Sequence, residues 1–176
     1  MSNAIKLRVL GIAVVAAMTA GCISEAAPES VNEVKNAVKI RHQVDESRGR
    51  VWLLTRSGVV VFDVNAPRRT RRVALPDWMW VGEPMGRLPD LAIGPKGEAV
   101  VSSDVVPTLW RVDPETFEVS LHALALDADT DRDIGFSELR YSAEQDAYIG
   151  VSTFQRSVWR IDPLLGHAQK IAPGLR

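Results

Sequence analysis

Five carboxylates crowd the segment DADTDRDIGFSE, residues 127–138. Asp127, Asp129, Asp131, Asp133 and Glu138 take positions 1, 3, 5, 7 and 12 of that stretch, with Ile134 at position 8. Oxygen donors gathered this closely suit a hard cation. Without one the aspartates repel each other, and Arg132 and Arg140 are the nearby charges that relieve them. A second stretch, DWMWVGEPMGRLPD at residues 77–90, joins tryptophans and methionines to glycine and proline breaks. Trp78 and Trp80 are candidates there to line a ligand or partner site, because loops on a rigid scaffold often carry binding. The alternative is that they pack over a neighbouring edge. A third stretch, PRRTRR, sets Arg68, Arg69, Arg71 and Arg72 at a turn, either to meet anionic lipid or to keep a solvated sheet edge from pairing. No catalytic residue is assigned. The sequence has no Gly-x-Ser-x-Gly, His-Glu-x-x-His, phosphate loop or cysteine pair. His42, His122 and His167 are dispersed along the chain.

The acidic spacing resembles an EF-hand calcium loop, which implies calcium as a cofactor held by Asp127, Asp129, Asp131, Asp133 and Glu138. Arg132 departs from that pattern where a glycine makes the sharp turn, and the flanking segments read as strands rather than helices. A solvated acidic connection with no cofactor is the competing reading.

The elements that must position these residues begin after an N-terminal signal. Lys6 and Arg8 precede a short apolar run, LGIAVVAA at residues 10–17. It is too short to span a bilayer and leads into small residues, as in secretory signals. Ala20-Gly21-Cys22 resembles the lipobox of bacterial lipoproteins. That resemblance implies cleavage of residues 1–21, lipidation of Cys22, anchoring in a membrane, and, with Ile23 following, an outer-membrane lipoprotein facing the periplasm. Cys22 is the sole cysteine, so no intramolecular disulfide supports the fold. Residues 22–37 read as the lipidated cysteine and a polar tether, in which Ser30 and Glu33 have the spacing to cap a short helix. Loss of Lys6 and Arg8 leaves 19 of the 21 basic residues against 22 acidic ones, a balance that gives nucleic acid no purchase.

The remaining residues, 38–176, repeat themselves. LWRVDP at residues 109–114 returns as VWRIDP at 158–163. The match widens to copies at about 90–126 and 138–172, with a weaker one at 38–75. Asp63, Asp113 and Asp162 align, as do Val60, Trp110 and Trp159. A fixed period of about 50 residues marks a repeat architecture. Each copy divides into four short strands rich in valine, isoleucine and tryptophan. In the second copy they are 91–93, 99–102, 108–112 and 118–124, separated by Gly94-Pro95-Lys96-Gly97, by Pro107 and by Asp113-Pro114. Four antiparallel strands per repeat make a propeller blade.

Residues 90–101 resemble the opening of blades in NHL, YVTN and gluconolactonase-type propellers. The expected fold is therefore all-β, an incomplete propeller of about three four-stranded antiparallel sheets. Closed propellers carry four to eight blades, so two apolar end faces are expected, and such faces mark association. One expectation is a partner, either a second copy making three plus three blades or another envelope protein; the alternatives are a chain shortened relative to longer relatives, or a small irregular β-structure. The functional expectation is a lipoprotein whose propeller-like domain binds or scaffolds. The alternative is a metal-dependent hydrolase or lactonase completed by dimerisation. The resemblance would require Glu, Asn and Asp from several blades to hold its metal, and the mature chain carries only Asn32, Asn36 and Asn65.

Overall fold

The computed structural model describes residues 39–81, 88–127 and 134–173. Cys22, the tether, and Asp129, Asp131 and Asp133 lie outside the described residues. The first blade runs β1 (Lys39–Asp45), β2 (Arg50–Thr55), β3 (Gly58–Asp63) and β4 (Arg71–Val73), with a single 3₁₀ turn at Pro67–Arg69. The second runs β5 (Leu91–Ile93), β6 (Ala99–Ser102), β7 (Thr108–Val112) and β8 (Val119–Ala123). Each of these two sheets is four-stranded, with its strands in chain order and antiparallel. The second copy's strands fall within a residue of their sequence-based limits.

The third blade departs from the expected count. Its own strands are β10 (Glu138–Ser142), β11 (Ala147–Ser152), β12 (Ser157–Ile161) and β13 (His167–Pro173). A fifth, β9 (Ala125–Leu126), adds parallel to β13 at the outer edge. It comes from the connection between the second and third blades. The Ala125 amide donates to the Gly166 carbonyl at 3.0 Å, and the Asp127 amide to that of Ala168 at 3.2 Å. The connection thus binds the outer edge before it crosses to the inner one.

The blades stack because their middle strands are apolar on both faces. In β6 every residue is buried. Val101 and Ala99 face the first blade and pack with Trp52, Leu54, Val59, Val61, Trp110 and Val112. Val100 faces the third and packs with Leu109, Leu139, Tyr148, Trp159 and Ile161. A fully buried side chain of this size contributes about 1.5–3 kcal/mol, so β6 is committed to neighbours on both sides. The innermost strand β5 lies between β1 and β10, the arrangement of strands around a propeller axis.

The repeated phrase has a local cause. Asp63 Oδ1 accepts the amides of Asn65 and Ala66, both at 2.9 Å. Asp113 Oδ1 accepts those of Glu115 and Thr116, both at 2.8 Å. Asp162 Oδ1 accepts that of Leu164 at 2.8 Å. In each blade an aspartate side chain replaces backbone partners in the turn after the third strand. The arginines near these turns reach across. Arg50 donates to the Pro114 carbonyl of the second blade, and Arg111 to the Pro163 carbonyl of the third at 2.5 Å. Each internal junction is therefore clasped by an arginine of the earlier blade on the Asp-Pro turn of the later one.

Candidate functional site

Strand register brings Arg41, Asp90 and Glu138 to equivalent places at the axis. Leu53, Val101 and Gly150 pair with Val60, Trp110 and Trp159 on one side, and with His42, Leu91 and Leu139 on the other. Arg41, Asp90 and Glu138 precede those three residues directly. The sequence copies, begun at Ile40, Asp90 and Glu138, miss this correspondence by one residue in the first blade. A one-residue slip moves a side chain to the opposite face of a strand, so the axial role of Arg41 is hidden in the linear alignment.

The three positions open onto a cleft of about 670 Å³, lined by Arg41, His42, Asp90, Glu138 and Arg140, with Ile149, Val151 and Val158 as an apolar wall. Asp90 holds its rim together. Its Oδ2 accepts the Leu139 amide at 2.8 Å, and its Oδ1 lies 3.5 Å from Arg41 Nε. One carboxylate thus touches a charge of the first blade and the backbone of the third. Burial pushes the Asp90 carboxyl above its ordinary range, against the opposing pull of the Leu139 amide and Arg41. The Asp90 amide is fixed in turn by Ser102 Oγ at 3.0 Å, and that hydroxyl donates to the Phe136 carbonyl at 2.7 Å. Glu138 and Arg140 have no such commitment to the second blade: both are exposed on β10 and face away from it.

The residues singled out in the sequence fall in three separate places. Trp78 and Trp80 are outside the axial cleft. Trp78 meets Trp110 edge-on at 5.1 Å, and its indole N–H donates to the Arg56 carbonyl at 3.0 Å. Trp80 carries the Arg56 guanidinium 5.8 Å from its ring centre. Both are half-buried and pin the exit loop of the first blade beside the second. Asp127 stands beside β13, its oxygens 3.2 and 3.3 Å from the Lys170 amide. Glu138 begins β10 at the opposite edge of the same sheet. Four strand spacings separate those edges, roughly 20 Å. The described ends of the acidic segment thus sit at opposite edges of one sheet, and Asp129, Asp131 and Asp133 lie outside the described residues. The end of that segment is core, with Ile134 and Phe136 fully buried. Among the described residues no three of His, Cys, Asp and Glu gather to hold a metal.

Sequence reasoning missed Arg41, Asp90 and Arg140 as site residues and treated His42 as isolated. Their shared signal is position, on an inner strand or directly before one, which carries no residue-type signature.

No family model matches the chain, and no curated protein matches it significantly. The structure resembles that of virginiamycin B lyase from Staphylococcus aureus with a TM-score of 0.55 and 12% identity. The likeness covers 77% of this chain and 41% of the other. It shows the fold: an incomplete, all-β propeller whose three blades correspond to less than half of the matched chain.

Proposed function

We propose that the protein is a cell-envelope lipoprotein, anchored through Cys22 on the periplasmic side of the outer membrane, whose propeller-like domain binds a ligand in the axial cleft. The observation that carries the binding role is the convergence of Arg41, Asp90 and Glu138 from three blades on one cleft beside an apolar wall. A cleft with both signs of charge and apolar residues suits a small amphipathic ligand with more than one charged group. Arg140 and Glu138, exposed and uncommitted to the second blade, supply the recognition, while Asp90 fixes the rim. The blades supply rigidity, as propeller scaffolds do for many unrelated functions.

Two measurements test the two halves of this reading. Labelled palmitate should enter the wild-type chain and not Cys22→Ser; equal labelling of both contradicts the anchor. A panel of dicarboxylates, diamines and amphipathic amino acids should contain members that raise the melting temperature of wild type and fail to do so for Arg140→Ala. A panel that shifts both proteins equally, or neither, contradicts the cleft as the site.

A second reading, a metal-dependent hydrolase or lactonase, has one observation behind it: His42, Asp90 and Glu138 line the same cleft from different blades, although as placed they do not gather closely enough to hold a metal. The matched structure is also, by name, that of an enzyme. Calorimetry with manganese decides it. Stoichiometric binding lost in His42→Ala, with lactone hydrolysis that follows the metal, supports the enzyme.

A further inference from the structure

We infer that the end of the propeller at which β1 begins is a membrane-docking surface, where Met79, Leu88, Val106 and Phe154 settle into the headgroup region of the bilayer that holds the anchor. The inference rests on the anchored reading of Cys22 and is independent of what the cleft binds.

Strand order defines two ends. The four strands proper to each blade alternate in direction. One end therefore collects the start of each innermost strand, the turns between second and third strands, and the connections from blade to blade. Hydrogen bonds tie these pieces together. The Trp78 indole donates to the Arg56 carbonyl at 3.0 Å, the Phe136 amide to the Ser103 carbonyl at 2.6 Å, and the Ser137 and Thr153 hydroxyls bond at 2.8 Å.

Four large apolar side chains stand in water at this end. Phe154, in the β11–β12 turn, is 85% exposed, and Met79, on the loop leaving β4, is 73% exposed. Val106 in the β6–β7 turn and Leu88 on the approach to β5 are exposed as well. All four sit on turns or connections, away from the faces on which blades stack, and none lines the axial cleft. Scattered apolar side chains are ordinary. Four at one end make a surface that lipid can cover. Trp80 follows Met79, half-buried, with the Arg56 guanidinium 5.8 Å from its ring centre. An indole beside an arginine suits the headgroup layer.

The far end is different. Its turns expose Glu46, Glu115, Glu144 and Asp146. Val64 and Leu164 are exposed there too, but each directly follows a turn-capping aspartate, Asp63 or Asp162. A carboxylate beside an apolar side chain opposes its transfer into lipid. The turn carrying Arg68 and Arg69, the candidate of the sequence for anionic lipid, also lies at that far end.

The chain before β1 names the occupant. Lys39 opens β1 at the docking end, and Cys22 precedes it by 17 residues. That length reaches at most about 60 Å fully stretched and spans roughly 20–25 Å when relaxed. A lipid on Cys22 thus holds this end, rather than the far one, beside the bilayer. An effective concentration on the order of millimolar lets a few apolar contacts suffice. Asp129, Asp131 and Asp133 belong to the connection that returns to this end at Phe136. Their charge sets the fitting surface as zwitterionic rather than strongly anionic.

Cys22 is the sole cysteine, which allows a synthetic anchor. The mature chain, residues 22–176, is coupled through Cys22 to a maleimide lipid in phosphatidylcholine vesicles with brominated acyl chains, and tryptophan emission is read against unbrominated vesicles. Failure of palmitate labelling in cells and failure of docking are then separate results. Wild type should be quenched, and Trp80→Phe should be quenched less. Met79→Asp combined with Phe154→Asp should reduce quenching at least threefold at an unchanged melting temperature, since both side chains are exposed. A second pair, Leu88→Ser with Val106→Ser, should reduce it as well. Leu164→Asp, and Arg68→Glu with Arg69→Glu, should leave it in place. Unquenched wild type overturns the inference. So does quenching that survives both apolar pairs, or quenching lost in the far-end variants, which would turn the other end toward the membrane.

Discussion

Between the first and second blades, Trp52, Val59 and Val61 meet Leu91, Val101 and Trp110, and the rim is held by arginines in water. Arg48 donates to Glu115 at 3.1 Å and to the Lys96 carbonyl at 2.8 Å, while Arg50 and Arg71 flank the Phe117 ring at 5.5 and 4.9 Å. Between the second and third, a polar pair lies inside, besides the Arg111 clasp and the Asp90 contact. Tyr148 donates to the buried Glu98 at 3.1 Å, and Trp159, Phe136 and Ile161 are fully enclosed. Burial and the neighbouring Glu98 push the Tyr148 hydroxyl far above its ordinary range, so it stays a donor. Gly94 makes room for this pair: a β-carbon there would lie 2.1 Å from the Tyr148 hydroxyl and 2.4 Å from Glu98 Oε1. The same repeat thus builds two junctions with buried apolar cores, one with charged groups at its rim and one with a buried tyrosine–glutamate pair inside.

The largest expected effect sharpens that contrast. Trp159→Ala empties a fully buried site and should cost about 3–5 kcal/mol in urea unfolding. Tyr148→Phe leaves a buried carboxylate oxygen short of a donor and should cost about 1–3 kcal/mol, with no dependence on salt. Asp90→Asn keeps an acceptor for the Leu139 amide and removes a charge that burial disfavours. A group whose folded pKa is raised lends stability below its unfolded pKa and loses it as pH rises through the folded value. The Asn variant should therefore gain on wild type as pH climbs from 4 toward 7; a gain only in acid would contradict the burial of Asp90. Arg48→Ala should give the smallest effect, a small drop in melting temperature that disappears in molar salt. Should Arg48→Ala rival Tyr148→Phe, the contrast between the junctions is wrong.

At one turn, Asp113 is shifted in the opposite direction from Asp90. The amides of Thr116 and Glu115 hold Asp113 below the usual carboxylate range. Its contribution is present above that range and is lost as pH falls through the folded value, so the melting temperatures of wild type and Asp113→Ala should converge in acid.

Much of the fold was legible in the sequence because a blade is a local object. Proline and glycine turns marked the strand ends of the second copy, and Asp113 and Asp162 kept the spacing that their side-chain caps require. The fifth strand of the third blade was not legible. Ala125-Leu126 is a two-residue strand whose partner, His167-Ala168, lies 42 residues on, and nothing in its composition differs from the connection around it. The candidate site was less legible still. The acidic segment drew attention by its density, yet the chain carries Asp127 and Glu138 to opposite sheet edges. Arg41, Asp90 and Glu138 stand 48 or 49 residues apart, and they acquire a common role only through strand register around an axis.

Arg41 and Arg140 both line the axial cleft, the first engaged by Asp90 and the second exposed and turned away from the second blade. The melting temperature of Arg140→Ala, with and without the dicarboxylates, diamines and amphipathic amino acids, tests the cleft most directly. Ligands that raise the melting temperature of wild type should leave that of Arg140→Ala unmoved, and the two unliganded proteins should melt alike. An equal rise in both proteins would contradict the axial cleft as the binding site.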